Sequence, residues 1–333
     1  MGTKTYLVNT INPLLKRLGY TIAKNESLYE WQKAPPTFLS YNESRVPEET
    51  RKYLTQNNPR LKDLQIRYSN FDKRVTDPFV WTDDLVTPNE MLHFRGEVYV
   101  WQLMGINMNP FSYALTTYYI KAIDYLGLLD SLEEDDLFGI HTFNIDNKLV
   151  SRDLLDSILE IYFLEKHLNI STFANCNILD IGAGYGRLAH RMLYAFPNIG
   201  QYFCTDAIPM SSFLCEYYLW ARDLGDRATI VPLDEVEKVL QSEPIDLAIN
   251  IHSFSECKIS AIEWWLSSLA KNKVKYLMIV PNSSELYTND GTNFGKIIDK
   301  YNYKLIAKEP KYGDSIVQKY GMSPEDYYLF KIN

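Results

Sequence analysis

Cysteine and histidine are scarce in this chain: four of the one and five of the other among 333 residues. Cys176, Cys204, Cys215 and Cys257 form no C-x-x-C pair, which argues against a thioredoxin-like redox motif or a zinc ribbon. Small buried thiols in a reducing compartment are the expectation. No spaced cluster of histidines and carboxylates marks a metal centre; Asp206, Asp234 and Glu256 are the nearest thing to one, and metal-independent chemistry is expected. Basic residues are outnumbered, 34 Lys and Arg against 42 Asp and Glu, for a net charge of -8. An acidic chain without a basic stripe is poorly suited to a phosphate backbone, so no nucleic-acid partner is expected. No apolar run approaches the roughly 18 residues of a membrane span, and the first twenty residues lack a continuous apolar segment. The expectation is a cytoplasmic protein without a membrane span. There is no internal repeat and no low-complexity tract.

What is present is ordinary globular composition, 46% hydrophobic and 23% charged, in a chain long enough for one large domain or two ordinary ones. The first 90 residues carry two short helical patterns, around Asn12 to Leu18 and Pro47 to Thr55, separated by the loop signal Ala34-Pro35-Pro36. From about Pro88 to Leu168 the pattern reads as mostly helical and rich in aromatics, among them Phe94, Trp101, Tyr113, Tyr118 and Tyr119. Leu132 to Asp136 is a charge run that reads as a solvated helix end. Ser151 can cap a helix with apolar residues at Leu154, Leu155, Ile158, Ile161, Leu164 and Leu168, the spacing of a core-facing face.

The most informative stretch is NILDIGAGYGRL, residues 177 to 188. An apolar run ends in Asp180; Gly182, Gly184 and Gly186 follow at alternate positions, and a helical pattern begins at Arg187. Strand, glycine turn and helix N-terminus together let backbone approach a ligand closely. A dinucleotide fingerprint, G-x-G-x-x-G, would need glycine at 187, where this chain has Arg187. The acid-x-G-x-G-x-G pattern instead resembles motif I of the class I S-adenosylmethionine-dependent methyltransferases.

Beyond it, strand and helix patterns alternate. Strands are expected at 177–181, 201–206, 228–231, 245–251, 274–280, 304–308 and 327–332, with helices at 260–269 and 293–301 between the later ones. Alternation of this kind predicts an α/β fold with a mostly parallel sheet. Five strand–helix units followed by two strands with no helix between them resemble the class I methyltransferase Rossmann-like sheet, which implies an antiparallel last strand beside the fifth. The expected organisation is a mostly helical N-terminal cap, 1–170, over a cofactor-binding domain, 171–333.

Candidate chemistry gathers at the carboxyl ends of these strands, where ligands bind in open α/β sheets. Asp206, ending the second strand, can accept both hydroxyls of a ribose or simply cap the next helix. The fourth strand runs into Asn250-Ile251-His252-Ser253-Phe254-Ser255-Glu256. His252 is the side chain there suited to take a proton near neutral pH, with Glu256 to orient it, though a histidine satisfied by backbone at a strand end is the alternative. The long segment between the last two strands should fall on the ligand face, making Tyr312, Asp314 and Lys319 candidate substrate contacts together with Ser253.

Phe94-Arg95-Gly96-Glu97, VSRDLLDSILEIYFLE (150 to 165), DIGAGYGRLAHRM, CTDAIP, NIHSFSEC and KYGDSIVQKYG together resemble bacterial sugar O-methyltransferases found with surface-polysaccharide biosynthesis, over most of the chain from about Phe94 onward. The resemblance implies S-adenosylmethionine as cofactor, held by Asp180, Gly182, Ala183, Gly184, Gly186, Asp206, Ala207 and Asn250. It further implies adenine between Leu233 and Asp234, and Arg152 reaching the cofactor carboxylate. The acceptor it implies is a sugar hydroxyl on a nucleotide sugar or a glycan, in line with aromatic faces that stack on sugar rings. Two other uses stay open: a nucleotide-cofactor oxidoreductase, which Arg187 disfavours, and a non-catalytic cofactor-binding scaffold. The aromatic cap could equally be the layer of a homodimer.

Overall fold

A computed structural model describes residues 46–77, 79–82, 88–96, 109–135 and 137–333, together with 11, 14 and 15. Of the expected helix from Asn12 to Leu18 only Leu14 and Leu15 are among them, both helical; the Ala34-Pro35-Pro36 loop, Glu97 and Trp101 lie outside these residues.

The framework is a seven-stranded sheet formed by β3 (Cys176–Ile181), β4 (Ile199–Thr205), β5 (Ala228–Ile230), β6 (Leu247–Ile251), β7 (Tyr276–Val280), β8 (Tyr303–Pro310) and β9 (Asp326–Ile332). Its order is β5-β4-β3-β6-β7-β9-β8. The pairs from β5 to β7 are parallel, and β9 runs antiparallel to both of its neighbours. Central strands such as Cys176–Ile181 and Leu247–Ile251 are mostly apolar and buried on both faces, as a sheet covered by helices requires. The order reverses at β3: β4 lies to one side, β6 to the other. Ile181 pairs with Thr205 on one flank and with Asn250 on the other, so three strand ends meet at one level and open a crevice above them.

α6 (Arg152–Leu168) precedes β3 and is better buried than a surface helix. Ser151 accepts the Leu154 N–H at 3.0 Å as N-cap, Asn169 closes the helix at φ 51°, and every residue from Asp153 to Glu165 is buried. The outer face is covered by α4 (Pro110–Ile123), and α7 (Arg187–Ala195) packs on the other side. The polar side of α6 is not solvated either. Asp153, Asp156 and Glu160 fall on one face at helical spacing and each meets a partner on another segment.

Two expectations for the N-terminal half are corrected. Residues 142–151 are not helical: β1 (Thr142–Ile145) and β2 (Lys148–Ser151) form a hairpin about Asp146 and Asn147, at φ 52° and 66°, the two left-handed residues of a tight hairpin turn. Nor is the charge run at 132–136 a solvated helix end. Glu134 has no exposed side-chain surface and pairs with Arg95 at 2.7 Å and Arg191 at 2.9 Å. Asp135 pairs with Arg95 at 2.6 Å and Arg222 at 2.5 Å.

Further upstream, α2 (Pro59–Ser69) lies on α8 (Pro209–Trp220). Arg60 bonds Glu216 at 2.8 Å, and the Tyr68 and Ser212 hydroxyls are 2.9 Å apart. α3 (Lys73–Thr76) continues onto α10 (Ile259–Lys271), with Phe71 edge-on to Trp264. No helix among the described residues is long and apolar enough to cross a membrane.

Candidate active site

The crevice above β3, β4 and β6 is a cavity of about 560 Å³, within the range of small-molecule sites. Its floor is the glycine turn. Gly182 and Ala183 donate their N–H groups to Thr205 O at 2.9 and 3.1 Å, which ties the turn to the end of β4. Gly182 sits at φ 74°, and a Cβ there would stand 2.2 Å from the Ser253 hydroxyl oxygen; only glycine allows that approach. Gly184 also lines the cavity, with open space where its Cβ would be.

Two acids border this floor. Asp180 accepts the Tyr202 hydroxyl at 3.0 Å, and burial pushes it up to about 7, which that hydrogen bond only partly offsets. Asp206 accepts Gly184 N–H on Oδ2 at 3.0 Å and Ile208 N–H on Oδ1 at 2.8 Å. Burial pushes it up to about 6 against those amides, and the nearby Glu256 charge adds to the rise. Asp206 therefore anchors the glycine turn and the entry to α8 without being that helix's N-cap, which is Ile208, and it also lines the cavity with a further lone pair on each oxygen.

At the end of β6 the chain turns sharply. Asn250 is fully buried, donating to Ile181 O at 2.9 Å and accepting Phe254 N–H at 2.9 Å. His252 follows at φ 66°, a left-handed conformation unusual for histidine, with its N–H on Val280 O at 2.7 Å. Its Nε2 lies 3.2 Å from Glu325 Oε1, an ion-pair distance at an angle outside hydrogen-bond limits. Glu325 belongs to the loop before β9 and was not foreseen; nothing local in Ser323-Pro324-Glu325 marks it, and only the antiparallel insertion of β9 brings it here.

Glu256 does not orient His252. Its Oε2 accepts Trp81 Nε1–H at 2.7 Å and its Oε1 accepts the Asn282 amide at 2.9 Å. Asp77 and Lys258 pair across the same edge of the cavity, so the segment after α3 forms part of its wall. Behind Glu325 lies a buried ionic chain. Lys311 Nζ is 3.7 Å from Glu325 and 2.6 Å from Asp156, which in turn bonds Arg152 at 3.0 Å. Burial opposes the Lys311 charge, but the facing carboxylates raise its pKa above the usual lysine range. Arg187, at the position of a dinucleotide fingerprint's third glycine, makes a two-pronged pair with Glu160, both contacts 2.8 Å. Cys257 lines the cavity, yet burial pushes its thiol up to about 12, which leaves it unsuited as a thiolate nucleophile.

Of the residues singled out from sequence, Arg152, Asp180, Gly182, Ala183, Gly184, Asp206, Ala207, His252, Ser253 and Glu256 converge on this cavity. Seven others stand outside its lining. Gly186 caps α7, packed against Cys215. Asn250 is turned into the β6 turn. Leu233 is buried, and Asp234 is held by Arg67 at 2.8 Å. The 311–321 segment is not an open loop over the ligand face. Asp314 caps α12 (Ser315–Tyr320), Tyr312 is buried with its hydroxyl on Met322 O at 2.5 Å, and Lys319 is exposed. The aromatics named from the helical region fill the core or its seams: Phe94 stacks on Phe138, Tyr113 leans on Phe143, and Tyr118 bonds Asp146. The cavity's tryptophans are Trp81 and Trp265 instead. Among the described residues no group of three or more His, Cys, Asp or Glu is placed to hold a metal ion.

The parallel run from β5 to β7 and the antiparallel β9 beside β7 match the sheet expected from the sequence. No protein-family model matches the chain. Among curated proteins it is similar to the release factor glutamine methyltransferase of Flavobacterium psychrophilum, 24% identical over 216 residues, 58% of this chain and 73% of that protein. Among solved structures, the magnesium protoporphyrin IX methyltransferase of Synechocystis, with S-adenosylmethionine bound, is 10% identical over 55% of this chain and 83% of its own, at a TM-score of 0.40. An O-methyltransferase family protein of Burkholderia thailandensis is 13% identical over 55% and 59%, also at 0.40.

Proposed function

We propose that this chain is an S-adenosylmethionine-dependent methyltransferase in which His252 takes the proton of an acceptor hydroxyl. One observation carries the reading: the acid–glycine turn closing β3 and the histidine closing β6 border one cavity, on adjacent strands. When bound, S-adenosylmethionine supplies an electrophilic methyl group; the chain has to bind it, orient an acceptor and remove the acceptor's proton. The residues fit that cofactor. Gly184 leaves the floor open, Asp206 has lone pairs for ribose hydroxyls, and Asp180 can balance a positive charge. An oxidoreductase is disfavoured because Arg187, committed to Glu160, stands where a pyrophosphate site needs glycine.

The acceptor we propose is an uncharged sugar hydroxyl. Trp81, Trp265, Asn282, Asn289 and Glu256 give the cavity flat apolar faces beside hydrogen-bonding groups. The Lys and Arg side chains lining it among the described residues are already engaged, Lys258 by Asp77, Arg152 by Asp156 and Arg187 by Glu160. Among the described residues Glu256 has neutral donors, Trp81 and Asn282. A phosphate-bearing acceptor would meet that carboxylate with no unengaged cation among the described residues, which favours a glycan over a nucleotide sugar.

Calorimetry with S-adenosylhomocysteine tests the cofactor. Asp206→Ala should weaken binding by about 1.5–3 kcal/mol, the range for charge-assisted hydrogen bonds. Response to NADH and none to S-adenosylhomocysteine would sink the reading. With labelled S-adenosylmethionine, neutral oligosaccharides should accept the label and nucleoside-diphosphate sugars should not. His252→Ala should slow transfer about 10²–10⁴-fold while cofactor affinity holds; unchanged turnover would move the base elsewhere and reopen the scaffold alternative.

A further inference from the structure

We propose that Glu325 is the positioning residue for His252: it holds the Nε2 edge of the ring, so that Nδ1 is the atom that accepts the proton. This rests on the reading of His252 as the base and assigns which nitrogen does the work.

The two edges of the ring are in different surroundings. Nε2 is buried and lies 3.2 Å from Glu325 Oε1. Nδ1 is not among the buried unsatisfied atoms and carries no hydrogen bond among the described residues, while the residue itself lines the cavity. In a neutral imidazole one nitrogen carries the proton and the other accepts, and the partner of the first decides which. A carboxylate can only accept, so Glu325 at ion-pair distance favours the tautomer with its hydrogen on Nε2, a slight turn of the ring aligning the bond, and Nδ1 keeps the lone pair.

Glu325 is itself fixed. Its Oε2 faces Lys311, whose ammonium group also donates to Asp156 at 2.6 Å and to Ser323 O at 3.1 Å. The Lys311 N–H donates to Glu325 O at 2.7 Å, which locks the two backbones together. Burial raises the carboxyl's pKa, but Lys311 and then His252 more than offset it and keep Glu325 ionised. The competing carboxylate, Glu256, has both oxygens occupied by Trp81 and Asn282. The arrangement is that of a carboxylate setting a histidine's tautomer and plane, drawn from segments far apart in the sequence.

Long-range proton–nitrogen NMR of protein with nitrogen-15 histidine, with His252→Asn to assign the signal, reads this directly at mildly alkaline pH. The wild type should show the proton on Nε2, with a downfield, slowly exchanging signal, and a bare Nδ1. Glu325→Gln should lose that signal while S-adenosylhomocysteine affinity is unchanged, a combination that a merely structural role would not give. If Glu325→Gln fails to fold, Glu325→Asp serves, with the signal moved upfield and exchanging faster. A wild-type proton on Nδ1, a rapidly exchanging Nε2 proton, or a signal indifferent to both substitutions overturns the proposal. Turnover separates this from the broader reading: with transfer established, Glu325→Gln should lower kcat about 10–100-fold at unchanged acceptor KM. An enzyme without methyl transfer but with the Nε2 signal would sink the function and leave the tautomer assignment standing.

Discussion

Asp180 is placed where a negative charge is least welcome. The unfolded chain releases this proton near the ordinary aspartate value of about 3.9, the folded chain near 7, because burial outweighs the Tyr202 hydrogen bond. Between those values the folded state binds more protons than the unfolded one, so this residue's contribution to stability is lost as pH rises through the window. A shift of that size corresponds to something on the order of 4 kcal/mol. Asp180→Asn should therefore flatten the decline of thermal midpoint between about pH 4 and pH 7 and raise the midpoint above pH 7. A steeper decline in the variant would contradict this account. A ligand that places positive charge against Asp180 selects its ionised form, so the affinity for S-adenosylmethionine, which carries a sulfonium charge, should climb as pH rises toward 7. The acid and the glycines were legible in sequence because a turn of this kind demands residue types at fixed spacing. Glu325 was not, since its role comes from the sheet's return path, and Asp234 misled because Arg67 from the N-terminal half claims it.

At the scale of elements, every strand from β3 to β9 lies within two residues of its expected place, because each is a short apolar run closed by turn residues. The hairpin of β1 and β2 was missed, although Asp146-Asn147 is a two-residue turn signal. The aromatic and apolar residues around it drew the segment into a helical reading. Asn147 sits at φ 66°, which costs most side chains about 1–2 kcal/mol. Asn147→Ala should lower stability by about 1 kcal/mol in urea melts, whereas Asn147→Gly should hold or raise it. Equal effects from both would mean that the Asn147 side chain, not the turn geometry, matters. The polar face of α6 carried a second unread signal. Asp153, Asp156 and Glu160 share one side of a helix that is otherwise apolar, and acids so placed in a buried helix need cations from elsewhere. Arg95, Lys311 and Arg187 are those cations, for Asp153, Asp156 and Glu160 in turn.

At the scale of the molecule, that ionic pattern bears on whether residues 1–170 and 171–333 behave as separate units. Their apolar core is continuous from Val46 to Phe330. Charge crosses the seam as well: Arg95 joins Glu134 and Asp135, which reach Arg191 on α7 and Arg222 beyond α8. Arg95, Glu134 and Arg191 are almost wholly withdrawn from water, so removing one charge leaves its neighbours buried and underpaired. Arg95→Met keeps the bulk of the side chain and removes only the charge and its hydrogen bonds. The expected loss is on the order of 3 kcal/mol, at the low end for a broken buried pair because Glu134 keeps Arg191. If the seam is cooperative, wild type and variant each unfold in urea in one transition, by fluorescence and by circular dichroism alike, with the variant's midpoint lowered and its slope retained. Two transitions, with only the weaker one sensitive to Arg95→Met, would instead mean that the N-terminal part folds as a separable cap. Deleting it could then leave a cofactor-binding remainder. Under the single-transition outcome the same deletion would strand Arg191 and Arg222 without their carboxylates and strip Trp81 and Asp77 from the cavity wall. Cofactor and acceptor binding would then fail together.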